Sequence, residues 1–496
     1  MLVTSCIVVV SPVETVQASG NTLYVGGSGP GNYTRIQDAI IASESGDTIF
    51  VYSGTYYENV LVDKTLVLVG EERENTIIDG NKIDDVIKIV SNNVIINGFT
   101  IRNSGNDSDP EDTLNSDSGV DIQSNFVTIS NNIISNNLIG LSTRGISSKN
   151  NLIINNNLFR YNNKNENKDG LAISCYGCYL MYTDDSKIYN NEFYYNANGI
   201  RFSYSDYNEI YDNKIINLTS NHGYGIYIKT SNFNIFSNNY IKNTSVGMWM
   251  YSLSDRINGN DICNNTIIDS FYALLMQFCF KNNIYGNLIK NNEFGIHLNY
   301  STNNIFYHND FIDNIEQAFD DLDNDWYNIS IEEGNFWDDY LGEDADQNGV
   351  GDTPYNITGG SNQDRYPLIK PRHNIAPEKP IINGPTKGRI NKEQDYRIYS
   401  TDINDDDIYY VIDWGDDQQE EYGPYASGED FLATHIWEIE GTYIIRVMCK
   451  DKYNLESVWS ILEVAMPKNK AINSLLFLQR FFQSFPLFEK ILNPII

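Results

Sequence analysis

Short apolar–polar alternations, three to six residues long, recur along most of the chain and are separated by Asn, Gly, Asp and Ser. Nine times an apolar residue comes two positions after an asparagine: Asn97/Phe99, Asn131/Ile133, Asn156/Leu158, Asn191/Phe193, Asn213/Ile215, Asn239/Ile241, Asn265/Ile267, Asn287/Ile289 and Asn309/Phe311, at steps of 22 to 35 residues. A second track starts at Gly119, Gly140, Gly170, Gly199, Gly225, Gly247, Ala273 and Gly295. Apolar residues lie one and three positions beyond it, from Val120/Ile122 to Ile296/Leu298, with Thr143 the one polar member. Period-two alternation turns these side chains to one face and their neighbours to the other. Strands this short cannot bury a face alone, so they must stack on copies of themselves. A right-handed parallel β-helix is the predicted body, its hand following from the rule for parallel crossovers. In such a coil the Asn row is expected to point inward and bond from turn to turn, with Gly supplying the corner conformations.

The ends and interruptions of the pattern divide the chain. Residues 1–19 read as a truncated signal-like segment: Leu2 to Val13 is apolar and Val16-Gln17-Ala18 offers a cleavage site, but no basic stretch precedes them. Residues 20–372 form the β-helix, with TRIQDAIIASES as a short capping helix and GNFWDDYLGEDADQNGVGDTPYNI closing the far end. Residues 104–118 and 163–169 are charged insertions. Residues 374–467 alternate in about seven runs and predict a small immunoglobulin-like β-sandwich, so the fold class is all-β throughout. The tail, 468–496, is apolar but broken by Arg480, Pro486, Glu489 and Lys490, so it is no spanning helix. Membrane-surface association and packing on the sandwich both remain open for it.

Charge narrows the partners. With 66 acidic against 34 basic residues the net charge is −32, which repels a phosphate backbone and excludes nucleic acid. Six scattered cysteines give no disulfide framework, and Cys175-x-x-Cys178 is half a zinc ribbon with no second half.

Three chemistries have candidate residues. Asp344, Asp346, Asn348, Val350 and Asp352 reproduce alternate positions of a calcium loop around Gly349, although Tyr355 stands where a bidentate Glu belongs. The outward residues of the Gly track include Arg201, Tyr227, Trp249 and His297, with Tyr251 beside them. A face of aromatic rings, Arg and amides suits sugar rings. Asp184, Asp185, Asp206 and Asp255 fall near one corner of successive coils, where a carboxylate pair for sugar cleavage is geometrically possible.

GDTIFVYSGTYYENV, the Asn/Gly repeats and the closing NFWDDYLGEDADQNGVGDTPYNITGGSNQDRYPL resemble the NosD-type β-helix family over about residues 21 to 370. Trp414-Gly415-Asp416, His435-x-Trp437 and Gly441-Thr442-Tyr443 resemble the PKD type of domain. The first resemblance implies a β-helix outside the cytoplasm and, by the family's name, copper handling. The ligands argue against copper: five His share no metal-ligand spacing, and Met248 and Met250 lie on the inward apolar track. These residues point to an exported cell-surface protein, non-catalytic, binding polysaccharide for adhesion or support, with calcium as the candidate cofactor. The alternatives are a polysaccharide lyase or hydrolase on the same coil, and a copper-handling accessory protein.

Overall fold

A computed structural model describes residues 20–106, 116–143, 148–163, 175–220, 222–252 and 257–467, together with 480, 483 and 484. The signal-like segment, most of both insertions, Gly170, Asp255 and nearly all of the tail lie outside the described residues. Two compact units divide the chain, 1–372 and 373–496.

The first unit is a right-handed parallel β-helix of three sheets. Its first sheet runs from Thr22–Val25 to Ile305–Tyr307 in 12 strands. The second runs from Gly54–Tyr57 to Phe336–Trp337, also in 12, and the third from Val60–Val62 to Glu316–Phe319 in 11. Every pairing within these sheets is parallel and in register, so like positions of successive coils stack. The interior is a column of Val, Ile, Leu, Phe and Met fully removed from water. Rings stack along it, as Phe159 on Phe193 with centroids 4.6 Å apart.

Inward asparagines tie the coils together at the corners. The longest row runs Asn132, Asn157, Asn191, Asn213, Asn239, Asn265, Asn287, Asn309, Asn335. Asn213 shows the unit of repetition: its Oδ1 accepts the backbone N–H and the Nδ2 of Asn191 at 3.1 and 3.0 Å. Its Nδ2 donates to the Ile188 carbonyl at 2.8 Å and to Asn239 Oδ1 at 3.0 Å. Side-chain amides thus satisfy backbone groups that a buried corner would otherwise orphan.

This geometry corrects two expectations about register. Asn131 and Asn156 do not enter the row; their neighbours Asn132 and Asn157 do, and the stacked apolar residues are Ile134 and Phe159 rather than Ile133 and Leu158. In the coil above, Phe99 takes the row position in place of Asn97, its N–H donating to Asn132 Oδ1. From Asn132 to Asn309 the residue before each row member is left-handed, as Asn131 at φ 54°, Asn156 at 55°, Asp212 at 54° and Asn238 at 54°. Consecutive asparagines therefore do different work, the first turning the chain and the second filling the corner. Asn and Asp, rather than the Gly track, make these corners. Gly225 sits in the track because a Cβ there would meet the Gly247 carbonyl oxygen at 2.4 Å.

The Gly170 coil is the second correction. The strand paired between Ile139–Thr143 and Ile200–Ser203 is Cys178–Met181, so Cys178 and Leu180 hold the core positions expected of Leu171 and Ile173. The insertion is correspondingly longer.

Helix Ile36–Ala42 lies against the first coils with Ile36, Ala39 and Ile40 buried. The solenoid caps it at both ends: Glu58 accepts the N–H groups of Ile36 and Gln37 at 2.8 and 3.0 Å, and Lys64 Nζ donates to the carbonyls of Ile40, Ile41 and Ser43.

The second unit is an antiparallel sandwich of a three-stranded and a four-stranded sheet. Its core gathers Tyr396, Tyr410, Trp414 and Trp437, all fully buried. His435 lies on the Trp414 ring at 4.6 Å and bonds Asp416 at 2.7 Å, so of the motif residues Trp414, His435 and Trp437 build the interior of this unit.

Candidate functional site

Outward positions of the third sheet form one row through parallel register: Asp121, Ser142, Tyr179, Arg201, Tyr227, Trp249, Leu275, His297, Phe319. Two residues on, Ser203, Lys229, Tyr251, Gln277 and Asn299 form the adjacent row. Period two in the sequence is sufficient to place all five glycan candidates on this face.

At its centre the rings pack on each other. Trp249 stacks on Tyr227 with centroids 4.7 Å apart, touches Tyr224 at 4.9 Å and Tyr251 at 5.3 Å, and donates its indole N–H to Gln277 Oε1 at 3.2 Å. The Arg201 guanidinium lies over Tyr179, Tyr227 and Tyr176 at 4.7, 5.1 and 5.5 Å and bonds the Ser203 and Tyr176 hydroxyls. Burial raises the Tyr176 and Tyr227 phenols well above their ordinary value, so both stay neutral. Burial, then the charge of Arg201, lowers Lys229.

The face is less wet than a bare strand surface. Tyr227 is only 8 % exposed, held between Arg201 and Trp249, whereas Arg201, Lys229, Trp249 and Tyr251 are half-buried. Tyr176, a residue that sequence periodicity did not single out, closes over Arg201 from a separate small cluster with Cys175 and Tyr179. Further along, His297 stacks on Phe319 at 4.6 Å and keeps a buried Nδ1 with no hydrogen-bond partner. Burial lowers its pKa, so the ring is neutral.

The acidic corner has a different use. Asp184 accepts the N–H of Asp206 at 2.8 Å, and Asp206 accepts the N–H of Asn232 at 2.7 Å. Asn125 and Asn232 do the same for Asn150 and Asn258. The two carboxylates therefore stand in an Asn row and bond the backbone of the next coil. Burial, then repulsion from Asp184, raises Asp206. Asp185 is the left-handed corner residue at φ 50°.

In the closing loop, Asp344 accepts the N–H groups of Asn348 and Gly349, both at 3.0 Å, and Asp352 accepts that of Ala345 at 2.9 Å. Asp346 accepts from Asn348, and the Asn348 side chain accepts from Val350. Tyr355 turns away, stacked on Trp337 at 4.3 Å and bonded to Asp339. The three carboxylates whose oxygens converge within 4.8 Å among the described residues are Asp84, Asp85 and Asp117, elsewhere on the coil.

A protein family described as periplasmic copper-binding protein (NosD) matches residues 40–248 and 216–342, well over half the chain. The chain belongs to the NosD family. No curated protein matches it. Among solved structures, the PKD domain of an M14-like peptidase from Thermoplasmatales archaeon SCGC AB-540-F20 is 48% identical over 19% of this chain and 99% of that one, with a TM-score of 0.19. DFA-IIIase from Arthrobacter chlorophenolicus A6 in complex with GF2 is 12% identical over 72% of this chain and all of that one, with a TM-score of 0.43. Alginate lyase from Paenibacillus sp. str. FPU-7 is 12% identical over 62% and 95%, with a TM-score of 0.30.

Residues of this NosD-family chain do not fit copper. Met248, Met250 and Met276 are sealed in the core. Cys178 and Cys279 are likewise buried in the apolar core, where burial holds the Cys178 thiol far up and pushes Cys279 up to about 12. His297 faces the third sheet, His308 bonds Glu333, and His435 bonds Asp416. No His/Cys cluster of ligand spacing forms among the described residues.

Proposed function

We propose that the third-sheet face binds saccharide outside the cytoplasm and that the protein serves in adhesion or support rather than catalysis. The observation that carries this reading is the in-register group Arg201, Tyr227, Trp249 and Tyr251, half-open to solvent at Trp249 and Tyr251. Rings with hydrogen-bonding neighbours, here Gln277 and Lys229, are the lining sugars need: an apolar face to stack on and donors at its rim. Aromatic stacks occur on the first sheet too, as Tyr189 on Tyr211 at 4.9 Å. There the neighbouring cation, Lys187, is already paired with Glu209 at 3.3 Å, and no tryptophan takes part. The periplasmic description of the family supports a location beyond the inner membrane.

The test is retention of the purified chain on an array of polysaccharides, with release of new sugar ends followed in parallel. Trp249→Ala is expected to lose retention while the chain keeps its β circular-dichroism spectrum, and no new ends are expected. Ends released by the wild type would replace this reading with an enzyme's.

Calcium at Asp344, Asp346, Asn348, Val350 and Asp352 belongs to the same proposal. The supporting feature is a tight turn at Gly349, φ 92°, around which Asp344, Asp346 and Asp352 all accept backbone N–H groups of the same loop. Calcium added to the chelator-treated protein is expected to raise its melting temperature, and Asp344→Asn to remove that rise. An unchanged melting temperature on adding calcium refutes the assignment.

A further inference from the structure

At its centre the saccharide face carries positive charge that no carboxylate among the described residues neutralises within 4.0 Å. Arg201 and Lys229 stand on adjacent strands, Arg201 opposite Tyr227 and Ser203 opposite Lys229. One strand spacing and two residues separate them, so their Cα atoms are about 8 Å apart. In a chain of net charge −32, two half-buried cations side by side should find carboxylates easily. Other cations on the coil do: Lys187 pairs with Glu209 at 3.3 Å and Lys242 with Asp269 at 3.1 Å. Among the described residues neither Arg201 nor Lys229 has a carboxylate oxygen within 4.0 Å, and the contacts of Arg201 are neutral hydroxyls and rings. The tyrosines around it supply ring quadrupoles but no net charge, since burial keeps Tyr176 and Tyr227 protonated. Burial, and after it the like charge of Arg201, lower Lys229 below the ordinary lysine value.

Keeping two adjacent cations unpaired and partly desolvated is unfavourable by itself. An anionic group seated between them would receive charge-assisted hydrogen bonds from both. Trp249 and Tyr251 border the same spot, Trp249 next after Tyr227 in its row and Tyr251 next after Lys229. We propose that this face selects an acidic saccharide, its carboxylate or sulfate held by Arg201 and Lys229 and its ring resting on Trp249 and Tyr251. The inference rests on the saccharide-binding reading and adds the chemical class of the sugar.

The experiment titrates the full chain, by calorimetry or tryptophan fluorescence, with three probes: oligogalacturonate, a sulfated galactan oligosaccharide, and the neutral carboxyl-reduced galactan of matched length. Binding of either acidic probe at least about tenfold tighter than the neutral one, weakening as salt rises, is the expected result. Lys229→Gln is expected to weaken acidic binding roughly tenfold while leaving neutral binding in place, and Arg201→Gln to weaken it further. Should Arg201→Gln fail to fold, the salt dependence of the wild type and the Lys229→Gln arm still decide the matter. Equal affinity for acidic and neutral probes overturns the anion assignment and leaves saccharide binding standing. No binding of any probe overturns both.

Discussion

At the scale of single residues, one side chain type does most of the structural work. A ladder asparagine donates two hydrogens and accepts two, more donors than a Ser hydroxyl or a carboxylate has, which is why Asn fills the longest row. Asn239 receives the N–H and Nδ2 of Asn213 at 3.1 and 3.0 Å and donates to the Ile210 carbonyl and Asn265 Oδ1 at 2.9 and 3.0 Å. Asn239→Ala orphans a buried N–H and a buried carbonyl together. Each such group costs about 1–3 kcal/mol, so a loss of roughly 2–6 kcal/mol is expected in urea unfolding of the coil. Asn239→Asp is expected to be no better at neutral pH, because a carboxylate cannot donate to Ile210 or Asn265. A loss under about 1 kcal/mol for the alanine variant would mean that water replaces the amide, and that the ladder is decoration. The doubled asparagines also mark where pattern reading slipped. Asn131-Asn132 and Asn155-Asn156-Asn157 look alike along the sequence, and only backbone dihedrals separate the left-handed residue from the inward one.

Elements were more legible than residues, for a physical reason. Period-two alternation fixes which face a strand buries, and a one-residue error would turn its whole apolar set outward. The third-sheet strands therefore came out in register from Gly199 onward, with Met248, Met250 and Met276 inside and Arg201, Tyr227, Trp249 and His297 outside. The coil before Gly199 misled because a long insertion separates Leu158–Arg160 from Cys178–Met181, and Gly170-Leu171-Ala172-Ile173 imitates the track within it. The site was legible only as a set of side chains. That Tyr227 is nearly closed off, that Tyr176 covers Arg201, and that Arg201 and Lys229 lack counter-ions among the described residues depend on what packs across the strands. Distant chain segments decide that, so spacing within a strand carries no trace of it. The acidic corner shows the converse. Asp184 and Asp206 read as candidate acids, yet they hold positions that Asn fills in neighbouring coils.

For the whole solenoid, the far end poses a problem that the repeat itself does not: how a row closes beyond its last asparagine. Three inward rows, the longest one, the row Asn282–Asn304–Asn324 and the row Asn292–Asn314, finish in an aspartate whose pKa is raised, burial being the largest cause each time. The longest row ends at Asp364, Asn324 donates to Asp320, and Asn314 connects through Gln317 to Asp338. A terminal residue has donors arriving from the coil before it and no further amide to donate to, so an acceptor-only side chain fits. Asp364 takes the Asn335 N–H at 2.7 Å, the Trp337 indole at 2.9 Å and the Tyr366 N–H at 3.0 Å. Even so, burial outweighs these bonds and pushes Asp364 up to about 6. A carboxyl with its folded pKa above the unfolded value holds its proton better in the native state. Its contribution to stability is full below the unfolded value of about 3.9, falls as pH rises through about 6, and is flat beyond. The shift of about two units caps the effect at roughly 3 kcal/mol. Asp364→Asn cannot ionise, so the variant serves as the reference against which other titrating groups cancel. The melting temperature of the variant minus that of the wild type is expected to climb between about pH 4 and pH 6 and then level off. A difference that stays constant across that range would mean that Asp364 remains ionised in the fold, its hydrogen bonds outweighing its burial.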